Sequence, residues 1–232
     1  MNRPPLPEQL HLGCGRFAPD GWLNTDGSWH VWLARWPLMR RVATWTRMLP
    51  QEHSAQPWPD SIMHLDLRRP LPFPDDSFTA VYASHLLEHL YRSEALALLQ
   101  ELWRCCRPGG IVRMAVPDLA YYVACYQRGV VSPRAAGHSP ADTLMHRLLL
   151  QPATPLTSRF WPRKLYHLLL DYNSHKWCYD RDSLLALFRE AGFAQPEERA
   201  VLDSRIPAID RIEMAKQIGG GGTVIVEAEK RP

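Results

Sequence analysis

The segment Leu10-His11-Leu12-Gly13-Cys14-Gly15 constrains this chain most, because an apolar run that ends in Gly-x-Gly must stop as a strand and turn sharply. A second apolar run, Trp22 to Thr25, leads into Asp26, eleven residues past the second glycine. Bare backbone beside a carboxylate makes a crevice for a nucleoside: the glycine turn lets backbone approach the ligand, and the acid accepts ribose hydroxyls. Gly13, Gly15 and Ala18 also satisfy the dinucleotide pattern G-x-G-x-x-G/A. That pattern needs a helix opening at the glycines and an acid about 20 residues on. Asp26 comes too early for it. The gap is also too short for a full crossover helix, so one turn or a loop closed by Pro19-Asp20-Gly21 is expected.

Further strands are expected at Ile62 to Leu65, Thr79 to Ala83, Gly110 to Ala115, part of Ala194 to Leu202, and Thr223 to Ala228. Helical periodicity covers Arg92 to Cys106 and Arg181 to Ala191, with Ser93 and Asp182 as caps and Gly109 and Gly192 as stops. Strands alternating with helices predict an α/β fold whose largely parallel sheet is covered on both faces. A chain of 232 residues suits one domain.

The net charge of +3 gives no argument for nucleic acid as a general partner. Five cysteines without a C-x-x-C pair read as reduced thiols, and Cys14 as a small residue filling space beside the ligand. The segment Met1 to Pro7 lacks the apolar stretch of a signal peptide, and no run approaches the roughly 20 apolar residues of a membrane span. A cytoplasmic, soluble protein is the expectation.

Two stretches exceed a minimal core. Residues 29–59 hold Trp29, Trp32, Trp36, Trp45 and Trp58 with Arg35, Arg40, Arg41 and Arg47; residues 119–174 hold Tyr121, Tyr122 and Tyr126, then a proline-interrupted, Leu-rich run. Both follow strand ends that face the crevice, which makes them candidates for a substrate lid. The first reads as a helix packing its tryptophans on the domain, as a basic helix making peripheral membrane contact through 29–49, or as a receiver of an anionic acceptor. The three tyrosines read as a half-buried helical face.

Leu65-Asp66-Leu67 is a third apolar segment beside an acid, and Pro70 to Phe78 (PLPFPDDSF) leads into Thr79 to Ser84. Then come His85-Leu86-Leu87-Glu88-His89-Leu90, Pro108-Gly109-Gly110 and Pro117-Asp118. This order and spacing resemble the class I S-adenosylmethionine-dependent methyltransferases over residues 10 to 118, and again from His175-Lys176-Trp177-Cys178-Tyr179-Asp180 to Ala191-Gly192-Phe193. Two positions depart from the family pattern: His11 stands where an acid is usual, and Phe17 where a third glycine is usual.

The resemblance implies a Rossmann-like, seven-stranded, mostly parallel sheet with an antiparallel C-terminal hairpin. It implies S-adenosyl-L-methionine as cofactor, held by Leu12, Gly13, Cys14, Gly15, Asp26, Asp66, Leu67 and Ser84, with Asp66 accepting from the adenine amino group. It places Ser84 and His85 near the transferred methyl, so His85 is the expected general base, its ordinary pKa near 6.5 suiting that use. His175 is the rival for that role. Asp118 either lines the crevice or caps a helix starting at Leu119. The acceptor is expected to be a small molecule, or a glycan- or lipid-linked one; the oligomeric state is left open.

Two other readings stay open. A noncatalytic S-adenosyl ligand-binding protein would keep the pocket without turnover. His85-Leu86-Leu87-Glu88-His89 also matches H-x-x-E-H, so a zinc hydrolase would hold its metal through His85 and His89 on one helical turn. No third ligand is identifiable from spacing, and no metal is expected.

Overall fold

The structure is a computed structural model that describes residues 7–34, 36, 38, 58–130, 139–149, 174–218 and 221–231. Its strands are β1 (Gln9–Leu12), β2 (Trp22–Asp26), β3 (Met63–His64), β4 (Phe78–Ser84), β5 (Cys106–Pro117), β6 (Glu197–Glu198) and β7 (Thr223–Glu229). Its helices are α1 (Trp29–Ala34), α2 (Arg92–Cys105), α3 (Leu119–Gln127), α4 (Pro140–Arg147), α5 (Arg181–Glu190) and α6 (Ala215–Ile218). The sheet order is β3-β2-β1-β4-β5-β7-β6. Neighbours from β3 to β5 pair parallel, while β7 runs antiparallel to both β5 and β6.

Strand alternation divides the interior into two layers. Leu10, Leu12, Val81, Ala83, Val112, Met114, Val224 and Val226 face one side, where Leu98, Leu99 and Leu102 of α2 and Leu184, Leu187 and Phe188 of α5 cover them. Ala80, Tyr82, Ile111, Ala115 and Ile225 face the other. That second face is covered by Ile206, Ile209, Ile212 and Ile218, from a 3-10 turn at Ile209–Arg211 and the single-turn α6. The β1–β2 connection holds no helix, so the predicted loop through Pro19 to Gly21 forms.

Several boundaries differ from the sequence reading. The cap of α2 is Tyr91, whose N–H donates to Glu94 Oε2 at 2.9 Å, which leaves Ser93 inside the first turn. The cap of α5 is Asp180, which accepts from Ser183 N at 2.8 Å; Asp182 instead pairs with Arg181 on the surface. Gly109 stops no helix, because α2 ends at Cys105 and Gly109 lies within β5 at φ 80°. Gly192 does end α5, at φ 110°. The sixth strand is only Glu197–Glu198, since Arg199 to Ile218 leaves the edge to cover the second face.

Candidate functional site

Strand register builds the site. Leu12 lies opposite Thr25 in β2 and opposite Ala83 in β4, so the turn at Gly13 meets Asp26 on one side and Ser84 and His85 on the other. Here the order switches from β1-β2 to β1-β4, and in open parallel sheets a crevice opens beyond the strand ends at such a switch.

Gly13 and Gly15 both adopt left-handed backbone, at φ 60° and 57°. A Cβ on Gly13 would stand 2.9 Å from Leu86 Cδ1, whereas one on Gly15 would meet nothing within 4 Å among the described residues. Gly15 therefore presents backbone to open space. Cys14 N–H donates to the Thr25 carbonyl at 3.0 Å, tying the turn to β2. Burial first, then the Asp26 charge, pushes the Cys14 thiol up to about 12, so it stays protonated and unreactive at neutral pH.

Asp26 holds the turn from below. One carboxylate oxygen accepts the Gly15 N–H at 2.9 Å and the other the Ser28 N–H at 2.8 Å. Burial raises its pKa, opposed by those two N–H groups and by His64. Each oxygen keeps a second lone pair for a hydroxyl donor.

Asp66, two residues beyond β3, receives Arg68 Nε at 2.9 Å and Nη2 at 3.2 Å. The Arg68 hydrogen bond holds its carboxyl below the usual carboxylate range, against a smaller effect of burial. The pair is exposed, and such surface pairs exchange at little cost. Leu67 packs its side chain on the first core layer.

At the β4 end, the Ser84 hydroxyl is buried opposite Ala115. His85 is strained at φ 52° and pinned by its N–H to the Ala115 carbonyl at 2.8 Å. Its Nδ1 lies 3.2 Å from Glu88 Oε1, and an Nδ1–H donated there leaves Nε2 as the basic nitrogen. Residues Leu87–His89 form a 3-10 turn, not the α-helix that the H-x-x-E-H reading needs. His85 lies outside that turn, in left-handed backbone.

His11 is not in the crevice. It is buried beneath it with Nδ1 3.0 Å from Asn24 Oδ1, and Asn24 Nδ2 donates to the Pro19 and Trp22 carbonyls. Burial lowers its pKa to about 4, so it is neutral and structural.

The returning segment 174–180 docks onto the same edge. Asp118 and Tyr179 form an isolated parallel bridge, and Lys176 and Trp177 N–H groups donate to the Glu88 carbonyl at 2.7 and 3.2 Å. This brings His175 Nε2 to 4.0 Å from Glu88 Oε1 and stacks its ring edge-to-face on His89, centroids 4.9 Å apart. The Glu88–His89–His175 grouping was missed from sequence, because the third member lies in a distant block and only tertiary contact reveals it. Burial lowers the His175 pKa, partly offset by Glu88.

Asp118 caps α3 by accepting from Ala120 N at 3.0 Å. Tyr121, Tyr122 and Tyr126 line a cavity of about 60 Å³ between α3 and α4, closed by Leu144 and Arg147. Of the Trp-rich insert, α1 is described, with Trp32 and Trp36 exposed and Trp58 stacked on His30. Trp45, Arg35, Arg40, Arg41 and Arg47 lie outside the described residues.

Residues 10–114 match the methyltransferase domain family. Among curated proteins no sequence matches the chain. Similar solved structures include an S-adenosylmethionine-dependent methyltransferase from Mesorhizobium loti (22% identity, covering 98% of this chain and 93% of that one, TM-score 0.47). Others are a Thermotoga maritima S-adenosylmethionine-dependent methyltransferase (14%, 96% and 82%, TM-score 0.46) and one from Archaeoglobus fulgidus (13%, 96% and 85%, TM-score 0.46). The matched stretch runs from β1 into β5 and contains the whole glycine turn and the β4 lip, so over these residues the chain is similar to the methyltransferase domain family.

Proposed function

We propose that the chain transfers a methyl group from S-adenosylmethionine to a small-molecule or glycan- or lipid-linked acceptor, at the crevice between Gly13–Gly15, Asp26 and His85. The observation that carries this is the pairing of open space over Gly15, among the described residues, with a half-buried carboxylate that holds the same turn. A nucleoside fits there: bare backbone approaches it, and the remaining Asp26 lone pairs accept two hydroxyls. Leu12, Cys14 and Leu67 supply apolar walls, and Asp66 is the acceptor for an amino group once Arg68 turns aside.

When bound, the cofactor supplies a methyl already activated on a sulfonium, so this chain's own task is alignment and exclusion of water. His85, oriented through Nδ1 by Glu88, presents Nε2 to take a proton from an acceptor that must lose one. Ser84 sits beside it at the strand end. The tyrosine-lined cavity of α3 and α4 forms the acceptor side in this reading, with the 29–59 and 119–174 stretches as a lid on a single 1–232 domain.

The test is calorimetric titration with S-adenosylhomocysteine. Micromolar one-to-one binding that Asp26→Ala abolishes supports the reading, and absence of binding by folded protein overturns it. His85→Ala then separates catalysis from binding. It should retain cofactor affinity and, with an acceptor found by a labelled-methyl screen, lose about 10²- to 10⁴-fold in kcat. Unchanged turnover would remove His85 from the chemistry.

A further inference from the structure

The cluster under the β4 lip does more than the methyl-transfer reading asks of it. Glu88 is 1% exposed, and its Oε2 has no hydrogen-bond partner among the described residues. A buried carboxylate oxygen left unsatisfied is costly and calls for an explanation. The bond to His85 does not supply one, because it uses Oε1.

Around Glu88 the donor chemistry is that of a cation site. Glu88, His89 and His175 each offer one ligand atom, all within 4.8 Å of one another. Ligands at about 2.1 Å from a tetrahedral ion lie about 3.4 Å apart, so closing the group takes side-chain rotations of roughly an ångström. His89 Nδ1 lies 3.3 Å from the Ser174 carbonyl, and an Nδ1–H donated there leaves Nε2 as the free nitrogen. Backbone carbonyls commonly fix metal-binding histidines in this way. The two chain segments that carry the donors are also held together independently of any ion, by the Glu88 carbonyl receiving Lys176 and Trp177 N–H.

We propose that Glu88, His89 and His175 form a binding site for a divalent transition cation of the zinc type. Two imidazoles and one carboxylate suit such an ion and not magnesium or calcium, which prefer all-oxygen shells. Three protein ligands leave one position for water or for a heteroatom of another molecule. The site differs from the H-x-x-E-H pattern: His85 is not a ligand, and the third donor comes from the 174–180 block.

The experiment uses the full chain stripped with chelator and titrated with Co²⁺, in the absence of any cofactor. One equivalent per chain should bind with the intense visible absorption of a low-coordinate site, and Zn²⁺ should displace it. His175→Ala and Glu88→Gln should each weaken Co²⁺ at least 100-fold, while His146→Ala, on the exposed side of α4, leaves it unchanged. A wild-type protein that takes up no stoichiometric Co²⁺ overturns the proposal, as does uptake that both variants retain. Because the wild-type titration needs no variant, misfolding cannot mask the answer. S-adenosylhomocysteine binding by the same stripped protein reports separately on the methyltransferase crevice.

Discussion

At the scale of single residues, the two glycines of the turn look alike in sequence and differ in what they face. Gly15→Ala meets no atom of the described residues within 4 Å, so its cost to folding is that of the left-handed backbone, about 1–2 kcal/mol. The added methyl would occupy the space assigned to the ligand. We expect S-adenosylhomocysteine affinity to fall at least tenfold while urea unfolding shifts only by that small amount; unchanged affinity would move the ligand away from Gly15. His11 gives the opposite lesson. It stands where the family has an acid, yet it is buried against Asn24 with its pKa lowered from 6.5 to about 4. The unfolded chain binds the proton more readily, so this contribution to stability is whole above pH 6.5 and is lost as pH falls toward 4. At about 1.4 kcal/mol per pKa unit the loss is on the order of 3 kcal/mol. Denaturation midpoints at pH 7 and pH 4.5 should therefore diverge less in His11→Gln than in the parent. Asp26 was legible from spacing, because its position depends on two short neighbouring strands. His175 beside Glu88 was not, because nothing local signals a contact across 87 residues.

At the scale of elements, periodicity located the long strands and both core helices, while their ends followed hydrogen bonds that periodicity does not register. Asp180 outcompetes Asp182 as a cap because its backbone is extended and its carboxylate reaches Ser183 N. The second face of the sheet was the least legible, since an irregular segment covers it in place of an amphipathic helix. A buried ion cluster holds that segment. Arg113 of β5, fully buried, donates Nε and Nη2 to Glu213, Nη1 to Glu227 of β7, and further bonds to the Asp203 and Ala200 carbonyls. Burial pushes the Glu227 pKa up, but Ser204, Arg205 and Arg113 outweigh it and hold the carboxyl below its usual value. The pair Arg113 and Glu227 stand opposite in register, a charged couple inside apolar strands. Removing one partner of a buried pair leaves an uncompensated charge, so Arg113→Met should cost about 3–5 kcal/mol in urea denaturation. Adding Glu213→Gln should recover part of it by removing the stranded carboxylate. If Arg113→Met costs under about 1 kcal/mol, the cluster does not hold the segment.

At the scale of the molecule, every group assigned to the cofactor lies on a strand end or the turn after it, and no single element contains the site. Ligand contacts to β1, β2 and β4 therefore stabilise the folded state as a whole, and the proposed binding can be read without knowing the acceptor. A thermal melt with and without ligand is the natural readout. A ligand at 100 times its Kd that binds only the folded state adds about 2.7 kcal/mol. For a chain of this size each kcal/mol moves Tm by about 2–4 °C, which predicts a rise of roughly 5–10 °C with S-adenosylhomocysteine. Asp26→Ala should abolish the rise, because it removes both the ribose acceptor and the brace on Gly15. Arg113→Met, on the far face of the sheet, should lower Tm yet keep the ligand-induced rise. A variant pattern in which both substitutions erase the shift would mean that the crevice senses general loosening of the sheet, and that Asp26 has no direct part in holding the nucleoside.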